Sequence, residues 1–291
     1  MPEARAGLPT WQTFVLTAVA MLAFAANSLL CRLALQQRGI DPASFGSIRL
    51  LAGAITLTVI VRFKSPRAAP SHTDWLAAIM LFVYVALFSF AYLSLPAGTG
   101  ALILFGAVQL TMFSAGLRLG ESFGPIAWVG LALAVAGLVY LVSPGVAAPP
   151  LFGAALMAIA GVAWGVYSLR GRGVADPLAA TAGNFARALP FALVLSLLYG
   201  ANAHADAAGV SLAVASGALT SGIGYVIWYA ALPKLSAMRA ATVQLSVPLI
   251  AAFGGVLFLS ETITPRLVAA SAAILGGIAL VLTSRSQKPR A

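Results

Sequence analysis

The sequence predicts an all-α integral membrane protein of ten transmembrane helices, arranged as two inverted five-helix repeats. Three observations predict it. Hydrophobic residues fill 61 % of 291 positions and charged ones only 8 %, against roughly 25 % charge in an average soluble domain. The apolar residues gather into ten runs, mostly about 20 residues long, enough to span a hydrocarbon core roughly 30 Å thick. Landmarks also recur 140 positions apart: Ser28-Leu29 with Ser168-Leu169, Arg32 with Arg172, Glu121 with Glu261, Pro125 with Pro265, and Gly137 with Gly277. Because five is odd, the second half must enter the membrane from the side opposite to the first. Inverted repeats of this kind are the sequence signature of alternating-access transporters.

The runs cover 11–36, 42–62, 74–95, 97–118 and 124–143 in the first half, and 150–170, 178–199, 209–230, 236–259 and 264–284 in the second. Between them lies start and stop chemistry. Asp41-Pro42, Gly124-Pro125, Asp176-Pro177 and Thr264-Pro265 each set a capping residue before a proline at the first helical position, where a missing N–H costs nothing. Pro96 and Pro233 are expected to close segments three and eight in tight turns. Lipid offers no hydrogen-bond partners, so the backbone between these breaks must be helical. The expected divisions are 1–10 as a cytoplasmic N-terminus, 11–143 and 150–284 as the repeats, and 285–291 as a cytoplasmic tail.

A net charge of +10 raises the question of nucleic acid, but the distribution answers it. With the N-terminus cytoplasmic, the inner ends collect Arg5, Arg62, Lys64, Arg67, Arg118, Arg170, Arg172, Lys234, Arg239, Arg285, Lys288 and Arg290, and the outer ends hold Arg32, Arg38 and Arg266. That asymmetry is the positive-inside rule of a multi-pass protein of the bacterial inner membrane, with lipid bilayer and no nucleic acid as partner. Trp11, Trp75, Trp128 and Trp228 fall near inner helix ends as interfacial anchors. The first segment is too long for a signal-peptide core and is kept as a membrane helix. One cysteine, Cys31, excludes an intramolecular disulfide.

Enzymatic readings fail early. His72 and His204 sit in loops, no pair of histidines has metal-ligand spacing, and no Gly-rich loop with a lysine cradles a phosphate. No catalytic group, cofactor or metal is expected. All seven acids, Glu3, Asp41, Asp74, Glu121, Asp176, Asp206 and Glu261, lie outside the apolar runs or at their ends, so no mid-membrane carboxylate offers itself as a proton switch. Glu121 and Glu261 read either as gate residues or as charges placed before the N-terminus of the next helix, where the macrodipole favours them.

Arg49 and Arg187 lie about 10 Å and 15 Å into their helices at 1.5 Å per residue. Either they snorkel to helix-end carbonyls, or one contributes to binding an anionic group. Asn27, Gln109 and Gln244 are amides inside apolar runs, suited to interhelical hydrogen bonding or to a shared central site. Aromatic stripes give the most specific pattern. Tyr84, Phe88 and Tyr92 share a face of segment three, Tyr225 and Trp228 with Tyr229 share one in segment eight, and Trp164 and Tyr167 pair in segment six. A single stripe is core packing; three on related helices favour a pocket. Pro248 is read as a hinge, because it releases the carbonyl of Gln244. Gly116/Gly120, Gly161/Gly165, Gly130/Gly137 and Gly276/Gly277 mark close helix approaches, with a dimer contact through segments five and ten as one use of them.

These residues carry a resemblance. Trp164-Gly165, the corners Leu119-Gly120-Glu121 and Leu259-Ser260-Glu261, Pro248, and the glycine-bearing helices after each corner resemble the drug/metabolite transporter superfamily. Over nearly the whole chain the likeness is to its EamA-type exporters, and the chain looks similar to YddG-like aromatic amino-acid exporters. The resemblance implies a central cavity lined by segments one, three, four, six, eight and nine, with five and ten peripheral. Two positions depart from the family pattern: Phe24-Ala25 stands where Trp-Gly is frequent, and Phe113 where a proline matching Pro248 is expected.

The expected function is export of small aromatic or amphipathic metabolites, aromatic amino acids foremost, by alternating access. The alternatives are a drug or quaternary-cation exporter of the same fold, because aromatic walls also hold cations, and a channel or non-transporting scaffold.

Overall fold

The computed structural model describes residues 10–64, 74–235 and 237–284. Arg5, Arg67, His72, Arg285, Lys288 and Arg290, with positions 1–9 and 285–291 of the ends expected to be cytoplasmic, lie outside the described residues. Ten helical segments follow in order: α1 (Thr10–Gln36), α2 (Pro42–Lys64), α3 (Trp75–Ala91), α4 (Ala97–Arg118), α5 (Pro125–Val142), α6 (Leu151–Arg170), α7 (Pro177–Leu198), α8 (Ala207–Lys234), α9 in two pieces (Ala237–Gln244 and Ser246–Leu259), and α10 (Pro265–Thr283). Among the described residues nine segments are long and apolar enough to cross a membrane. The tenth, α3, has 17 helical residues and is continued by a turn at 92–94.

The caps follow from local chemistry. Asp74, Asp176, Asp206 and Thr264 each accept the backbone N–H three residues on, which satisfies one of the donors a helix start leaves open. Prolines begin α2, α5, α7 and α10. Pro96 differs from expectation: the turn at 92–94 closes α3, and Pro96 is the extended residue that opens α4.

Two segments depart from plain α-helix. α8 widens into a π-helix over Ser216–Ile223, a rare form concentrated at functional sites. α9 breaks at Leu245, whose N–H bonds Thr242 O at 3.1 Å. The break lies three residues before Pro248, where a missing N–H leaves the helix ladder incomplete. α4 has no such break, because Phe113 stands in its interior and stacks on Phe123 at 4.2 Å.

Packing runs mainly between the halves: α2 lies on α7, α3 on α6, α4 on α6 and α9, α1 on α8 and α9, and α5 on α10. Small residues allow it. A Cβ on Gly277 would stand 2.4 Å from Gly130 O, and one on Gly217 2.3 Å from Arg49 O. Gly161 and Gly165 likewise admit α4 against α6. Gly130, Gly137 and Gly277 are therefore occupied by α5–α10 packing within the chain. Gly120 is no packing surface: at φ +79° it turns the corner after α4 and faces open space.

Large apolar side chains cover the outside, among them Phe14, Leu51, Val129, Leu197 and Phe258. Such a belt is an aggregation hazard in water and a match for hydrocarbon. Trp11, Trp75 and Trp128 are exposed as anchors are, but Trp228 is 6 % exposed and turns inward.

Candidate functional site

The helices enclose a cavity of about 1230 Å³ that opens at one end of the bundle. Asp74, Glu121, Arg170, Arg172 and Asp176 line its mouth, and the ends of α1 and α10 that lead to the termini lie on that side. Arg170 Nε pairs with Asp74 Oδ2 at 2.6 Å there. Burial works against the Asp74 carboxylate, but Arg170 and the Ala77 N–H hold it below the usual carboxylate range.

The opposite end is sealed. Arg32 of α1 pairs with Glu261 at 3.2 Å and donates to Tyr92 O and Leu93 O. Glu261 in turn accepts the Ala97 N–H that opens α4, at 2.9 and 3.1 Å. Glu261 thus serves a helix N-terminus, but that of α4 and not of the helix it precedes. The loops after α1 and α7 are zipped together by Asp41 N–H to His204 O, His204 N–H to Asp41 Oδ2, and Asp206 N–H to Gly39 O. Burial would raise the Asp41 carboxyl, yet donors from Ser44, His204 and Ala43 hold it below the usual range.

Aromatic rings form the cavity wall with Trp164 at the hub: Tyr84 lies 4.7 Å away, Tyr167 5.2 Å and Tyr225 5.8 Å, centroid to centroid. Phe24 leans on Tyr225 and Trp228. Tyr229 also lines the cavity and meets Tyr167 through Thr181 Oγ1. Of the sequence candidates, Asn27, Arg49, Tyr84, Phe88, Gln109, Trp164, Tyr167, Tyr225, Trp228 and Gln244 all line this space. Tyr92 does not. It is fully buried at the sealed end, its hydroxyl on Ala97 O and its ring filling the space Gly100 leaves. Arg187 also lies outside the lining, half-buried on α7. Pro248 is buried in α9, beyond the break.

The polar heart of the site joins α1, α2, α3 and α8. Asn27 Oδ1 accepts from Ser216 at 2.6 Å and from Thr220 at 3.3 Å, and its amide donates to Tyr84 OH. Arg49, 1 % exposed, donates from Nε to Ser221 and from Nη2 to Tyr84 OH at 3.0 Å, with the rings of Tyr84 and Phe88 about its guanidinium. Its Nη1 is buried with no hydrogen-bond partner. The ion pairs Arg32–Glu261 and Arg170–Asp74 both lie elsewhere.

Sequence reasoning missed Phe24, Ser216, Thr220 and Ser221. The signal for the last three was a run of small and hydroxylated residues, Ser216 to Gly224, inside an apolar span. The lining also draws on α2 and α7, which the resemblance left out, and Ala134 of α5 and Ile278 of α10 reach it from the periphery.

Two inverted five-helix halves around a one-ended polar and aromatic cavity define a membrane transporter, not an enzyme. The chain belongs to the EamA-like transporter family, whose model matches residues 11–143 and again 151–283. It is 53 % identical over 278 residues to an uncharacterized protein of Pseudomonas aeruginosa, covering 96 % of this chain and 97 % of that one. It is 30 % identical to the threonine/homoserine exporter RhtA of Escherichia coli, covering 99 % of this chain and 97 % of that one. A crystal structure 18 % identical shares the fold, with a TM-score of 0.65 over 95 % of this chain and 99 % of its own.

Proposed function

We propose that this transporter exports small amino acids with apolar or aromatic side chains, aromatic amino acids foremost, from the cytoplasm across the bacterial inner membrane. One observation carries the reading: a buried guanidinium with a free N–H, and no carboxylate paired to it, stands beside an aromatic wall. A substrate carboxylate supplies the missing charge, small rearrangement of Phe88 and Tyr84 opens Arg49 to it, and the side chain lies against Trp164. Asn27, Gln109 and Gln244 orient the polar end by hydrogen bonds. The same positive charge opposes a quaternary cation, which weighs against the drug-exporter reading. Counterflow of labelled phenylalanine or tryptophan in proteoliposomes tests it; absence of counterflow for every carboxylate-bearing amino acid refutes it.

A second reading has its own support. The RhtA relative is a threonine/homoserine exporter, and Ser216, Thr220 and Ser221 place hydroxyls where a small hydroxylated side chain would bond. Competition between threonine and phenylalanine in the same assay separates the two.

Orientation follows from charge: Arg62, Lys64, Arg118, Arg170, Arg172, Lys234 and Arg239 share the mouth end, which the positive-inside rule assigns to the cytoplasm. Cysteine at Asn202 is expected to react with an impermeant maleimide added to whole cells, and cysteine at Ser122 only after the membrane is opened; the reverse pattern inverts the topology.

Pro248 acts as the hinge in this reading. Pro248→Ala restores the N–H that Gln244 O lacks, and is expected to join the two pieces of α9 and slow transport by roughly an order of magnitude at unchanged expression. Unaltered turnover reduces the proline to packing.

A further inference from the structure

The sealed end is built from parts that recur at the mouth. Arg32, Glu261 and the Ala97 N–H close one end, and 140 positions away in each case stand Arg172, Glu121 and Ala237. The cradle of the glutamate recurs as well. A left-handed residue follows each helix, Ser260 at φ +55° and Gly120 at φ +79°, and turns the next residue back along the helix. Glu261 N–H then bonds Gly255 O, and Glu121 N–H bonds Gly116 O, each at 3.0 Å. Both glutamates lie over a glycine: a Cβ on Gly255 would stand 2.4 Å from Glu261 Oε2, and one on Gly116 2.9 Å from Glu121 Oε2. Any larger residue at either position would push the carboxylate away.

The difference lies in the partners. Glu261 is clasped, whereas Glu121 is exposed at the mouth and Arg172 rests on Met112 Sδ of α4 at 3.3 Å. Ala237 begins the short piece of α9, which the break at Leu245 separates from the rest. We propose that Glu121 and Arg172 form the second gate of the transporter. When the cavity opens at the other end, Glu121 accepts from the Arg172 guanidinium and the Ala237 N–H, as Glu261 accepts from Arg32 and Ala97 when the mouth is open. Arg172 moves along α4 from Met112 to its end, and the Ala237–Gln244 piece swings about Leu245 to bring its first N–H across the mouth. The proposal rests on the alternating-access reading above, and its test separates the two.

The reporter is a single cysteine at Ala180, which lines the mouth half of the cavity, in a Cys31→Ala background, labelled by an impermeant maleimide from the mouth side of membrane vesicles. Arg32→Gln weakens the seal seen here and is expected to lower the labelling rate roughly three- to tenfold as the population shifts to the mouth-closed state. Adding Glu121→Gln, or separately Arg172→Gln, is expected to return labelling to near its starting rate. The charge-exchanged pair Glu121→Arg with Arg172→Glu in the Arg32→Gln background is expected to stay below either. Both positions are exposed, so these changes leave folding intact. Labelling that remains as slow in the combined variants as in Arg32→Gln alone overturns the second gate and leaves alternating access standing. Unchanged labelling in Arg32→Gln removes the alternating-access reading itself, and the second gate with it.

Discussion

Arg49→Gln is expected to cut transport of carboxylate-bearing substrates by roughly ten- to a hundredfold, the range that losing one charge-assisted hydrogen bond of about 1.5 to 3 kcal/mol gives. A guanidinium at the centre of a membrane helix costs about 2.5 to 3.5 kcal/mol on insertion scales; Arg49, nearer one end of α2, bears less and recovers part of it from Tyr84, Ser221 and two ring faces. The Nη1 amino group remains unpaired, so stability alone would be better served by an apolar side chain of similar size. The folded protein is therefore expected to tolerate glutamine, which keeps a donor for Tyr84 and removes the charge. Arg49→Lys keeps the charge but loses the fork that grips Ser221 and Tyr84 together, and should fall between the two. Binding measured by tryptophan quenching, with an amino acid and its carboxamide, which lacks the carboxylate charge, as paired ligands, checks the claim. Arginine and glutamine proteins that discriminate equally between acid and amide would dissociate Arg49 from the carboxylate.

Much of this was legible in the sequence because membranes make local rules strict. Segment length, proline starts and acidic caps each act within a few residues, so Asp176-Pro177 and Thr264-Pro265 could be read without tertiary knowledge. The repeat offset did more, pairing Glu121 with Glu261 before any contact was known. Other features depended on which way a helix face turns. Tyr92 shares a stripe with Tyr84 and Phe88, yet the sealed end places it against Gly100 and outside the cavity. Trp228 looked like an interface anchor by depth alone, and packing against Phe24 turns it inward. The π-helix of α8 had no readable period. Within it Gly217 lets α8 close on the backbone of Arg49, while Ser216, Thr220 and Ser221 bond across to α1 and α2.

Trp164→Ala is expected to weaken binding of an aromatic amino acid by tenfold or more. Trp164 touches three rings of the wall, Tyr84, Tyr167 and Tyr225, and aromatic pairs contribute about 0.5 to 1.5 kcal/mol each beyond buried area. Its partly open indole, on the cavity side of α6, offers an aromatic substrate a face of the same kind, and loss of roughly 1.4 kcal/mol there accounts for the tenfold. Gly165 holds α6 against Thr111 of α4 independently of the indole, so the helix should keep its place when the ring is removed. Trp164→Phe retains a face and should recover most of the affinity. Threonine, which has no ring to stack, should lose little in either variant, and that contrast reports on the contact itself. Parallel losses for phenylalanine and threonine would instead point to collapse of the wall, and full retention of phenylalanine binding in Trp164→Ala would place the substrate ring elsewhere in the cavity.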